Sequence, residues 1–266
     1  MSERLPTRRA PRSTDAARLR KWAMIFLTAG VIGQGLIQNR LLDMDVISNM
    51  ELLANMQADS SVMTLVTIAL LCKVMETCAV PLFSFLLVEG FLRTASFEKY
   101  LLRVGAVALV SEIPYNLAMG RGVFDLGSRN PAFALVICLV MLYFFNRYTE
   151  KSVKNIAMMA LIFTAAFLWC AMLRIDHGVC VVVMVSFLWY VREKSNVRAM
   201  FGFLGSMVCT MFNMYYIASG LACIMLHRYD EERGDQNPRF NYAFYPVLLL
   251  IIGIVGFFLL RRRKKK

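Results

Sequence analysis

The run Ser61–Leu92 reads SVMTLVTIALLCKVMETCAVPLFSFLLVEGFL and holds only three ionisable side chains besides its two cysteines, Lys73, Glu76 and Glu89. A bilayer core of about 30 Å takes about 20 helical residues, so this run is too long for one straight crossing. Pro81, near its centre, cannot donate to the helix ladder, which predicts a kinked or broken helix. Outward from it, Trp22–Ile37 reads as an uncleaved first span. Tyr100–Leu117, Pro131–Phe145, Ile156–Leu173 and Gly178–Tyr190 follow, and Tyr242–Leu260 is the last. Arg198–Leu226 reads as two short spans divided near Asn213. The expected fold is all-α: a polytopic transmembrane helical bundle of about nine spans, eight to ten if one run is miscounted. A single domain, 22–260, would lie between basic tails at 1–21 and 261–266.

Composition leads to the same class. Hydrophobic residues make up 58% of the 266 and charged residues 18%, against roughly 45–50% and about 25% in soluble domains. Mean hydropathy is +0.55. The formal charge of +12 gathers at Arg4, Arg8, Arg9, Arg12, Arg18, Arg20 and Lys21, in the loops Arg147–Lys154 and Arg192–Arg198, and at Arg261–Lys266. That clustering fits a positive-inside topology with a cytoplasmic N-terminus and contact with membrane lipid. Without a recognition motif beside the charge, no nucleic-acid partner is expected. The loop Arg40–Ser60, with Asp43, Asp45, Glu51 and Asp59, suits the opposite side. Nine crossings would leave the basic C-terminus there too, against the rule.

Seven cysteines sit almost wholly in apolar runs without CxxC spacing, and only two histidines occur. Inert thiols and no metal site are expected. GxSxG, Walker A, HExxH and strand-linked GxGxxG are missing, and no repeat supports a transporter built on inverted halves.

A charge at membrane depth costs roughly 2.5–3.5 kcal/mol on insertion scales, so each one needs a partner or a purpose. Lys73 with Glu76, and Glu89 with Arg93, have the spacing of helix-face pairs. Glu112 and Asn116 flank Pro114 in SEIPYN, where a freed carbonyl and polar side chains suit a cavity lining as well as a structural bond. Asn130 before Pro131 reads as a helix cap. Asp176-His177-Gly178 also reads as a cap, and His227 as interfacial.

VPLFSFLLVEGF (80–91), YLLR (100–103), SEIPYN (111–116), Asn130 with Phe133, Asp176-x-Gly178, Tyr229 with Arg233-Gly234, and Phe244-Tyr245-Pro246 occur in an order that resembles the TraX family. The resemblance spans most of 74–250. It implies an integral-membrane acyltransferase-like fold in a bacterial cytoplasmic membrane. It also implies an acyl-CoA such as acetyl-CoA as donor, and a membrane protein or lipid-linked molecule as acceptor. Glu112, Asn116, Asn130 and Asp176 would line the site, and Arg93 and Arg103 would face donor phosphates. Glu89, Tyr229 and Arg233 are further binding candidates. Three family-typical positions differ: Asp-His of the first span is Gly33-Gln34 or its neighbours, an Arg is Thr77, and a His is Leu248. Neither Gln nor Leu can act as a base. Either His177 supplies a replacement base or the chain is an inactive binding or assembly protein. A small-solute transporter is the third reading.

Overall fold

The computed structural model describes residues 14–44, 47–120, 127–150, 152–235 and 237–263. The basic residues Arg4 to Arg12 and Lys264–Lys266, with Asp45, lie outside them. Helix α1 (Ala16–Ile32) continues as a π-helix, Gly33–Leu41. It is followed by α2 (Asn49–Ala58), α3 (Ser60–Arg93), α4 (Phe97–Ala118), α5 (Ala132–Phe145), α6 (Val153–Met172) and α7 (Gly178–Tyr190). Then come α8 (Arg198–Cys209), a 3₁₀ turn at Met214–Ala218, α9 (Ser219–His227) and α10 (Pro238–Arg263). Asp15, Ser48, Asp59 and Ser96 each cap the helix that follows by accepting from its first-turn amides, which fixes four starts. Helix α1 therefore begins inside the expected tail.

Among the described residues, four helices are long and apolar enough to cross a membrane: Ser60–Arg93, Phe97–Ala118, Val153–Met172 and Pro238–Leu259. The expected break at Pro81 is absent, because α3 runs unbroken from residue 60 to 93. Pro114 likewise sits inside a continuous α4. Neighbouring helices and hydroxyl side chains tolerate the lost donor. Beside Pro81, the Thr77 hydroxyl donates to the carbonyls of Val74 and Tyr215.

Helices α8 and α9 span about 18 and 14 Å at 1.5 Å per residue. They pack against each other as a hairpin. Its two outer ends approach at Arg198 and Glu231, and its tip, around Tyr216, meets His177. One end of the bundle is basic: Arg93, Arg192, Arg198 and Arg233 gather there with the strap Thr14–Ala16, which pairs with Arg228 and Glu232. The far end of α10 reaches the opposite side, where a Cβ on Gly256 would collide with Arg40.

Close packing of α1 on α3 needs its glycines. A side chain on Gly30 would overlap Glu76, and one on Gly33 would overlap Cys72, as small residues at membrane helix contacts allow. Past them the π-helix turns Asn39 and Arg40 onto the end of α4. Asn39 donates to the Met119 carbonyl at 2.8 Å and Arg40 to that of Leu117 at 2.6 Å. Arg40 is buried, so Arg40→Ala is expected to lower stability by about 1.5–3 kcal/mol, the worth of a charge-assisted bond. Thermal unfolding in detergent reads this; an unchanged midpoint would remove the clamp.

Candidate functional site

Helices α5 and α7 have 14 and 13 residues, whereas α3 and α4 run on past them. The loops before the short helices therefore dip into the bundle and meet the polar residues of their long neighbours. At Arg129 and Ile175 the two loops pair through their backbones: Arg129 donates to Arg174, and Asp176 donates to Arg129.

His177 stands where α7 begins. Its φ of 55° is left-handed, a conformation uncommon outside glycine and enriched where structure is over-determined for function. The expected cap is not made: no side-chain bond caps α7. The imidazole faces inward instead, with its side chain only 6% exposed. Nδ1 lies 2.5 Å from the Tyr216 hydroxyl on the hairpin tip. Nε2 lies 3.6 Å from Glu76 and 3.9 Å from Asp176. Two carboxylates opposite Nε2 favour hydrogen on that nitrogen, so we assign the Nδ1 lone pair to the Tyr216 hydroxyl.

Glu76 is also held by Lys73, 2.8 Å away one turn earlier on α3. Asp176 accepts from Tyr115 of α4 at 3.0 Å. The network thus links Lys73, Glu76, His177, Tyr216, Asp176 and Tyr115 across three elements and a loop. Among the described residues, His177 Nε2 itself and the Tyr245 hydroxyl on α10 are buried without a hydrogen-bond partner. Tyr245 is within electrostatic reach of Asp176, Glu76 and Glu112.

Glu112 and Asn130 come together as a second unit. One carboxylate oxygen of Glu112 accepts from Arg129 at 3.0 Å; the other accepts from the Asn130 amide side chain at 2.6 Å and its backbone at 3.3 Å. Asn130 in turn donates to Ala108 and caps α5 through the Ala132 amide. Every Glu112 oxygen is used to dock the α5 loop, the arrangement of a structural joint. Glu112→Ala should destabilise by about 1–3 kcal/mol through stranded donors, and Glu112→Gln by less, because it keeps an acceptor for Asn130. Equal unfolding midpoints for the alanine variant and the wild type would contradict this. Asn116 lies buried one turn further along α4.

Glu89, Arg93, Tyr229 and Arg233 are elsewhere. Thirteen residues of α3 separate Glu89 from Glu76, about 20 Å of helix rise. At the basic end Glu89 pairs with Arg93 at 2.5 Å and accepts from Tyr229 at 2.8 Å. Arg93 donates to the Glu231 carbonyl, and Arg233 reaches the Arg93 carbonyl. These residues bind the 228–234 loop to α3 and do not share a site with His177. Arg103 is exposed on α4, and so is His227, at the end of α9.

Tyr216, Tyr115, Tyr245 and Arg129 were not among the candidates. Arg129 adjoins the expected cap Asn130, and Tyr115 and Tyr245 lie in the quoted SEIPYN and Phe244-Tyr245-Pro246 motifs, so only Tyr216 had no local signal.

Residues 19–256 match the family described as TraX protein. Neither the curated proteins nor the solved structures include a match.

Proposed function

The chain belongs to the TraX family, and on that premise we propose an integral-membrane acyltransferase whose proton-handling centre is His177 with Tyr216, Glu76 and Asp176. The supporting observation is the buried, left-handed His177, with two acids 3.6 and 3.9 Å from one ring nitrogen and a hydroxyl hydrogen-bonded to the other. An oriented imidazole between carboxylate and hydroxyl is a general-base arrangement, in a chain whose first helix carries no histidine.

In the proposed reaction an acceptor amine or hydroxyl attacks the acyl carbon of an acyl-CoA thioester. The new bond to the acceptor forms as its proton passes to the Tyr216 oxygen and the tyrosine proton moves to His177 Nδ1. The carbon–sulfur bond then breaks, and the proton returns along the same path to the leaving thiolate. Glu76 and Asp176 stabilise the transient imidazolium. The unbonded Tyr245 hydroxyl is a donor available to developing negative charge. For topology we propose that α8 and α9 form one hairpin that returns to its own side, with the basic end cytoplasmic.

A second reading, a non-catalytic binding or assembly protein, is favoured by one observation. Thr77, at a family Arg position, is spent on packing bonds to α3 and the hairpin. The test uses purified protein with acetyl-CoA and longer acyl-CoAs, following thermal stability and thiol release. Stabilisation with thiol release supports the enzyme. Stabilisation without release supports the second reading, and no shift at any donor concentration contradicts both as donor sites.

A further inference from the structure

Arg198 opens α8 at the basic end and is only 4% exposed. Its guanidinium lies over two aromatic rings, 5.0 Å from the centre of Phe85 and 5.5 Å from that of Tyr229. One nitrogen, Nη2, has a carboxylate at 3.5 Å, that of Glu231. The other, Nη1, is buried with no hydrogen-bond partner. A guanidinium offers five donors in a planar fork, and leaving them unmatched in a desolvated setting is costly. Glu89, a half-buried acid of α3 at the same end, is already taken by Arg93 and Tyr229.

Glu231 is a poor permanent partner. Its side chain is 62% exposed, its contact is long, and its backbone sits at φ 66°. The segment is held instead through its carbonyl, which accepts from Arg93 at 2.6 Å. The carboxylate can therefore leave without unpinning the loop. Arg93 and Arg233 stand beside it, so positive charge remains when it goes. An arginine stacked on aromatic rings, with its fork facing a replaceable oxyanion, is suited to phosphate.

We propose that Glu231 holds the place of a phosphate group, and that a phosphate-bearing ligand at the basic end displaces it to pair with Arg198, flanked by Arg93. The shared chemistry is a phosphate ester, from an anionic lipid headgroup in the adjoining leaflet or from a soluble phosphate compound. The proposal does not depend on acyl transfer, since its readout is binding.

The test uses the full chain in nanodiscs of zwitterionic lipid. One arm adds pyrophosphate, and the other replaces part of the lipid with phosphatidylglycerol; thermal stability and affinity are followed in each. Stabilisation by phosphatidylglycerol that pyrophosphate does not compete away assigns a headgroup. Stabilisation by pyrophosphate assigns a soluble phosphate. In either arm Arg198→Lys weakens binding by about tenfold or more, the loss of a charge-assisted fork. Glu231→Gln, at an exposed position that folding does not need, tightens binding by removing the competitor. No response to either probe overturns the proposal, as does Glu231→Gln binding equal to or weaker than wild type. Equal loss with Arg147→Gln, an exposed arginine of the same end, would show general charge attraction and overturn it too.

Discussion

Glu76→Ala is expected to cost about 3–5 kcal/mol of stability, the largest loss of any single substitution in the network. The carboxylate is buried at the centre of α3, 2.8 Å from Lys73 and 3.6 Å from His177. Removing it leaves the Lys73 ammonium, itself mostly buried, without an opposite charge, and breaking a buried pair from one side costs about that much. The same reasoning predicts partial recovery in Lys73→Met with Glu76→Met. Taking both partners away leaves no stranded ion, and well-packed apolar replacements of a buried pair are often neutral. Thermal or denaturant unfolding in one detergent measures both variants. A single variant as stable as wild type, or a double variant no better than the single, would contradict a buried ion pair. Gly30 adds a check of position: its hydrogen leaves the room Glu76 occupies, so a larger residue there should cost stability through the same carboxylate.

His177→Gln carries the largest expected effect on activity, a fall of about 10²–10⁴ in turnover, the span of a general acid–base contribution. Glutamine can keep one hydrogen bond to Tyr216 and incurs less strain than a β-branched residue at φ 55°. Folding should therefore survive while proton transfer does not. The loss should appear in kcat with KM little changed, because the imidazole moves a proton and does not bind the donor. Normal turnover in folded His177→Gln protein would remove this residue from the chemistry.

Much of the bundle could be read from the chain. The Gly178–Tyr190 span coincides with α7, since glycine after a polar pair and a run of β-branched residues leave little choice of boundary. Pro81 and Pro114 misled because proline reports a lost backbone donor, not whether packing will absorb it. The π-helix at Gly33–Leu41 had no signal beyond its glycines. The packing of α8 against α9 as a hairpin carried no sequence signal, because apolarity does not say whether a short helix crosses or returns.

The site was less legible for a related reason. Lys73, His177 and Tyr216 are far apart in sequence, and only the dipping loop before α7 and the hairpin tip bring them together. Glu89 and Glu76 share one helix, so their separation of about 20 Å follows from helix rise alone. The ordered motif that contains Glu89, Tyr229 and Arg233 marks the lock at the basic end. Asp176, in the same motif, belongs to the buried network.

Donor turnover per folded molecule, compared between His177→Gln and Glu112→Gln in the same acyl-CoA thiol-release assay, tests the central claim most directly. The account predicts that release collapses in the histidine variant and stays near wild type in the glutamate variant, whose residue serves as a joint. Release that survives loss of His177 but disappears with the Glu112 carboxylate would contradict it.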